Sequence, residues 1–183
     1  MRVLVTGGAG FIGSNLVNAM LGEHEVGIID DLSTGSEDNL HPTAWFRKLD
    51  ITDERLFDAV AEFNPGVVIH LAAQSSVPVS IKDPELDWRV NVDGTLAVAQ
   101  AARAAGARRV IVASSAAVYG EPAVLPLTES AQKRPLSPYG ESKLAAEEVL
   151  QNPQFFYHAL FFHQSPIGQG LYHLSEKPHH LSR

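Results

Sequence analysis

The sequence predicts an α/β fold, a doubly wound parallel sheet, on three observations. Apolar runs of strand length recur at Val3 to Val5, Val26 to Ile29, Val67 to Leu71 and Val110 to Ala113. Between them lie stretches with apolar residues at helical spacing. At the carboxyl end of each run stands a segment of small or polar residues, the edge where sheets of this class hold their ligand crevice.

The first run leads into Gly7-Gly8-Ala9-Gly10-Phe11-Ile12-Gly13. Gly8-x-Gly10-x-x-Gly13 fits the dinucleotide fingerprint: one glycine permits the tight turn, one lets backbone approach a pyrophosphate, and one lets helix pack on strand. The helix that follows sets Phe11, Ile12, Leu16 and Val17 at helical spacing. Its N-terminus offers unpaired N–H groups and the positive end of the macrodipole to an anion. The second run ends in Asp30, about 20 residues beyond the glycines, where a carboxylate hydrogen-bonds ribose hydroxyls and repels a 2′-phosphate. That predicts NAD rather than NADP, on a Rossmann-like sheet. A nucleoside-triphosphate P-loop is excluded, because the chain lacks Gly-x-x-x-x-Gly-Lys-Ser/Thr.

The remaining elements follow in order. A third strand is expected over Ala44 to Lys48, running into Leu49-Asp50-Ile51, with Asp53 capping the next helix. Leu56, Phe57, Val60, Ala61 and Phe63 supply that helix's apolar face, and Pro65-Gly66 stop it before the fourth strand. Ala72 to Ser76 is a small-residue loop. One long helix is expected from Pro84 to Ala105, with Val90, Leu96, Ala97 and Ala101 inward and Gly106 closing it. The fifth strand ends in Ser114-Ser115-Ala116-Ala117-Val118-Tyr119-Gly120. Residues Glu121 to Ser137, rich in Pro and polar groups, read as a surface excursion over the crevice. Ser137-Pro138 then opens a helix over Tyr139 to Leu150, a serine cap followed by proline at the first position.

Composition bounds the partners. With 183 residues the chain makes one domain of ordinary size, and a net charge of -7 with scattered positive residues argues against nucleic acid or an anionic membrane. There is no cysteine, hence no disulfide, thiolate nucleophile or cysteine zinc site, which suits a reducing cytoplasm. No signal peptide is expected, and no apolar run approaches the ~20 residues that span a bilayer.

Chemistry points to the last helix. Tyr139 and Lys143 are four apart and share a helix face, so the ammonium sits near the phenol oxygen. A phenol ionises near pH 10 and needs such a cation to serve as a base at neutral pH. The Ser114-Ser115 pair falls in the same crevice.

Taken as an ordered set, Thr6 to Gly13, Asp30 to Gly35, His70-Leu71-Ala72-Ala73, Asn91-Val92-Asp93-Gly94-Thr95, Ser114 to Gly120 and Tyr139-Gly140-Glu141-Ser142-Lys143 resemble the extended short-chain dehydrogenase/reductase family. Within it they are most similar to the NAD-dependent nucleotide-sugar epimerases of the UDP-glucose type, over residues 1 to about 150. The resemblance implies a cofactor-binding set of Gly7, Gly10, Phe11, Ile12 and Gly13 at the glycine turn, with Asp30 and Asp31 beyond the second strand. It implies Asp50 and Ile51 beside the adenine, and Leu71, Ala72 and Ala73 along the cofactor. Asn91 supports the site, Lys143 binds the nicotinamide ribose, Ser115 bonds the reacting hydroxyl, and Tyr139 is the base. A redox-neutral inversion at C4 of a UDP-hexose is implied, and a homodimer through the helices Pro84 to Ala105 and Tyr139 to Leu150. Related dehydratases carry an acid after the serine or threonine; Ala116-Ala117 stand here, which favours epimerisation.

The resemblance stops near Asn152. In place of the family's carboxyl-terminal substrate domain, residues 151 to 183 read as an atypical segment, with Phe155-Phe156-Tyr157 and five of the eight histidines. Three readings stand: a frameshifted or truncated end, a short variant whose aromatics cover the bare sheet edge or dock a second copy, and a histidine metal site. The last is disfavoured, since His158 and His163 are five apart and His179-His180 adjoin. Phe155, Phe161 and Phe162 are expected to be partly buried.

Overall fold

The computed structural model describes residues 1–121 and 125–151. The expectations placed on the segment after 151, its aromatics and its histidines, lie outside the described residues. Five strands form one sheet: β1 (Arg2–Thr6), β2 (Glu25–Asp30), β3 (Trp45–Lys48), β4 (Val67–His70) and β5 (Arg109–Val112). Their order is β3-β2-β1-β4-β5 and every pairing is parallel, with Val3 opposite both Val26 and Val67. The chain winds outward from β1 in one direction through β2 and β3, then returns to build β4 and β5 on the other side. The switch point lies between β1 and β4.

Parallel strands need crossovers, and these put helices on both faces. Alternation along β1 shows it: Leu4 joins a core with Ile29, Val68, Val110 and the helices α2 (Leu56–Phe63) and α5 (Gly94–Ala104), while Val3 and Val5 join a second core with Val17 of α1 (Phe11–Met20). The structure corrects the expected face of α2. Leu56, Ala59, Val60 and Phe63 are buried, whereas Phe57 is 42% exposed and Ala61 is also outside. Gly27 decides between the two phenylalanines. A Cβ there would stand 2.8 Å from the Phe63 ring, so the missing side chain is the space Phe63 fills against the sheet.

The expected long helix forms without a break from Pro84 to Ala104, with one irregular turn inside it. After α3 (Val77–Lys82), which follows the small-residue loop, the chain forms α4 (Pro84–Trp88), a π-helical turn over Arg89–Asp93, and then α5. Thr95 Oγ1 donates to the Asn91 carbonyl at 2.6 Å, a side-chain bond to the i−4 oxygen that competes with the regular ladder. Gly94 packs under Ile51, whose Cδ1 would lie 2.6 Å from an added Cβ. Val90, Leu96 and Ala97 are half-buried against the core and Ala101 is fully inside. The last helix, α6 (Pro138–Gln151), begins as expected, with the Gly140 N–H donating to the Ser137 hydroxyl at 3.1 Å.

Candidate functional site

All the candidate residues fall on or beside the carboxyl edge of the sheet. At the end of β1, Gly7 has φ +74°, and its N–H donates to the Ile29 carbonyl at 2.8 Å. A Cβ on Gly7 would stand 2.6 Å from the Ala72 nitrogen, so the segment after β4 closes directly on this turn. Gly13 is equally confined: its Cβ would lie 2.1 Å from the Gly7 oxygen. Gly10 differs, since the nearest atom to an added Cβ is that same oxygen at 3.4 Å. Gly7 and Gly13 thus serve the backbone's own packing, and Gly10 leaves an open approach. No side chain caps α1, and no acid occupies its first turn. Phe11 and Ile12, at that terminus, are 85% and 55% exposed, outside the core their spacing suggested.

Asp30 is buried and holds this turn in place. Its Oδ2 accepts the Ala9 N–H at 2.9 Å and its Oδ1 the Leu32 N–H at 2.8 Å. The Ala9 carbonyl in turn accepts from the Asn39 side chain at 2.8 Å and the Ser36 N–H at 3.2 Å, clamping the loop after β2 onto the glycine turn. Asn39 and Ser36 were not singled out in the sequence. Asp31 is exposed and bonds Ser33, and Asp50 is exposed and takes the Thr52 N–H and hydroxyl. The Ile51 side chain is in the core, so only its main chain faces outward chemistry.

Beneath the switch point runs a directed chain of hydrogen bonds. Thr95 gives its proton to the Asn91 carbonyl, so His70 Nε2–H donates to Thr95 Oγ1 at 3.0 Å. His70 Nδ1 is then the acceptor for the Thr6 hydroxyl at 2.6 Å. This is a neutral imidazole. Burial, and next the charge of Lys143, push its pKa down to about 3, in agreement with the bonding.

Asn91 is the hub of the site's far wall. Its side chain pairs with the Gln74 main chain, accepting N–H at 2.9 Å and donating to the carbonyl at 3.0 Å, and also donates to Ser142 Oγ at 3.0 Å. Ser142 passes its proton to the Tyr139 carbonyl at 3.1 Å, so Asn91 fixes the first turn of α6 to the segment after β4. Buried Asp87 accepts from Gln74 Nε2 at 2.6 Å, and among the described residues nothing hydrogen-bonds its Oδ2. Leu71, Ala72 and Ala73 are half-buried along this wall.

Lys143 is 7% exposed and Tyr139 is half-buried. Burial draws the lysine pKa down to about 8, while Glu147 and Asp87 act upward. Ser115 is extended at the end of β5 and its Oγ accepts the Ala117 N–H at 3.2 Å, capping a 3-10 turn over Ala116–Tyr119. With that lone pair occupied, the hydroxyl is left to donate. The two residues that follow Ser115, Ala116 and Ala117, bring no carboxylate. Among the described residues no group of three or more His, Asp or Glu could hold a metal, and no helix is long and apolar enough to cross a membrane.

The family model described as NAD dependent epimerase/dehydratase family matches residues 3–160. A UDP-glucose 4-epimerase of Mycolicibacterium smegmatis is 44% identical over 98% of this chain and 59% of its own length. The structure of a UDP-glucose 4-epimerase from Thermus thermophilus in complex with NAD aligns with a TM-score of 0.84 at 41% identity, covering 88% of this chain and 54% of that one. A Thermotoga maritima UDP-glucose 4-epimerase with UDP-glucose aligns at 0.81 and 32% identity, with 88% and 54% covered. The chain spans about half the length of the curated relatives it matches.

Proposed function

Because the chain belongs to the NAD dependent epimerase/dehydratase family, we propose that it binds NAD at the glycine turn and carries the acid–base residues of a nucleotide-sugar 4-epimerase acting on UDP-hexoses. The observation that carries the reading is the convergence of Gly10, Asp30, Ser115, Tyr139 and Lys143 on one sheet edge, which also holds the topological switch point.

The residues fit a dinucleotide. Gly10 leaves room for a pyrophosphate at an uncapped helix N-terminus, Asp30 stands where ribose hydroxyls would meet it, and no side chain among the described residues hydrogen-bonds the buried Lys143 ammonium, which suits a second ribose. NAD, when bound, supplies a nicotinamide that accepts a hydride and returns it. This chain's residues handle the proton. Tyr139, with Lys143 on the same face of α6, takes the proton of the sugar 4-hydroxyl and later gives it back. Ser115 donates to the reacting oxygen and orients it. Asn91 holds α6 in register with the segment after β4. With Ala116-Ala117 after Ser115, no acid is available there for a dehydration.

A second reading, a cofactor-binding module with little turnover of its own, is favoured by the share of the relatives' length that the chain spans. Remote binding energy from a substrate domain orients the sugar and supplies several kcal/mol of the barrier. Tyr139→Phe tests the catalytic role. With NAD and UDP-glucose, the unsubstituted chain should develop reduced-nicotinamide fluorescence and the variant none; fluorescence in the variant contradicts the role of Tyr139. NAD binding with no fluorescence from the unsubstituted chain favours the module. Homodimerisation through the helical run Pro84 to Ala105, where Trp88 is 48% exposed, and Tyr139 to Leu150 belongs to the same proposal and is read by sedimentation velocity.

A further inference from the structure

Glu147 lies on α6, four residues after Lys143 and eight after Tyr139, so the three share one helix face. It is 0% exposed. Both carboxylate oxygens are engaged: Oε1 accepts from the Ser114 hydroxyl and Oε2 from the Lys133 ammonium. Ser114 precedes Ser115 at the end of β5, and Lys133 belongs to the excursion that precedes α6. One side chain therefore ties three segments together at the catalytic edge. Packing alone does not call for a carboxylate at such a position, because an ionised group fully removed from water is costly unless its charge is used.

We propose that Glu147 is a positioning residue of this site: it holds the Ser114-Ser115 segment against the face of α6 that bears Tyr139 and Lys143, and sets a buried carboxylate one helical turn from Lys143. The inference deepens the epimerase reading and rests on it for the meaning of Lys143. Glu147 from α6 and Asp87 from α4 act on the Lys143 ammonium, and His70 from β4 feels its charge in turn. Glu147 is the larger of the two carboxylate effects, both opposing burial. Asp87 is shared with Gln74 and Asn91, whereas Glu147 reaches the serine segment directly. Lys133, whose side chain is 30% exposed, partly offsets the Glu147 charge and sets how much of it Lys143 feels.

The test reads Lys143 itself, without cofactor or sugar. The chain has five lysines, so a sample labelled at the lysine ε-carbon gives a spectrum in which the Lys143 resonance is identified by its loss in Lys143→Arg. Glu147→Gln keeps the shape and an acceptor for Ser114 but removes the charge; the Lys143 titration midpoint should fall by at least one pH unit. Lys133→Met removes the competing cation and should move the midpoint upward, which keeps the proposal testable if Glu147→Gln does not fold. Ser114→Ala should leave the midpoint within a few tenths. A midpoint unchanged in Glu147→Gln, or unchanged in Lys133→Met where the first variant is unfolded, overturns the proposal. If Lys143 responds as stated but the unsubstituted chain binds no NAD, it is the epimerase reading that fails, not the electrostatic role of Glu147.

Discussion

The Thr6 hydroxyl donates to His70 Nδ1 at 2.6 Å, and that bond fixes a neutral imidazole beneath the switch point of the sheet. The pKa of His70 is about 3 in the folded chain against 6.5 for the free side chain. Between those values the unfolded chain binds the extra proton, so stability through this group falls as pH falls from 6.5 toward 3. His70→Leu should lower stability at pH 7 by about 1–3 kcal/mol, since Thr6 and Thr95 each lose a buried partner. It should also lose less stability than the parent on acidification. Urea unfolding at pH 7 and 4.5 measures both; an equal acid sensitivity in the variant contradicts the neutral, bonded imidazole.

Lys143 acts with the same sign in a more alkaline window. Its pKa is drawn from 10.5 to about 8, chiefly by burial. Below pH 8 it is charged in both states, and the burial of that charge costs about 3 kcal/mol. From about 8 to 10.5 the unfolded chain binds the extra proton, so stability through this group rises with pH. Lys143→Met should therefore be more stable than the parent at pH 7, with the gap closing by pH 10. A constant gap would contradict the buried ammonium.

Gly10 and Gly13 separate cofactor space from folding space. Gly13→Ala places a Cβ 2.1 Å from the Gly7 oxygen and should destabilise the chain by more than 2 kcal/mol. Gly10→Ala meets that oxygen at 3.4 Å, so the fold should tolerate it within about 0.5 kcal/mol while NAD affinity falls at least ten-fold. Thermal unfolding and NAD titration of the two variants check the contrast. Full affinity in Gly10→Ala would contradict the assignment of the open side of the turn to the pyrophosphate.

Asp30 does two things at once, bonding two main-chain amides and presenting a charge at the end of β2. Asp30→Asn retains one acceptor and loses the charge. It should weaken NAD about 10- to 100-fold and shrink the preference over NADP. Parallel titrations with the two cofactors decide it; an unsubstituted chain that binds NADP as tightly as NAD would contradict the role of the carboxylate.

Local patterns were readable because their causes are local. The buried runs of β1, β2, β4 and β5, the glycine turn and the Ser137-Pro138 cap each follow from neighbouring residues. The site's inner wall was not readable, because its bonds join distant positions. Asn91 meets Gln74 across 17 residues and Ser142 across 51, and it sits in a π-helical turn whose end is marked by the Thr95 bond to its carbonyl and by Gly94 under Ile51. Phe57 and Phe63 looked equivalent until Gly27 opened space for one of them. Glu147 could have been found: it continues the four-residue spacing of Tyr139 and Lys143, a line that invites a counter-charge.

The proposed NAD site in the crevice at the switch point is tested most directly by calorimetric titration of the purified chain, cleared of carried-over cofactor. NAD should bind saturably to one site, with binding weakened at least ten-fold in Gly10→Ala, and UDP-glucose added next should then report how far the substrate site is built. A chain that is folded by its unfolding transition yet binds no NAD would contradict the account.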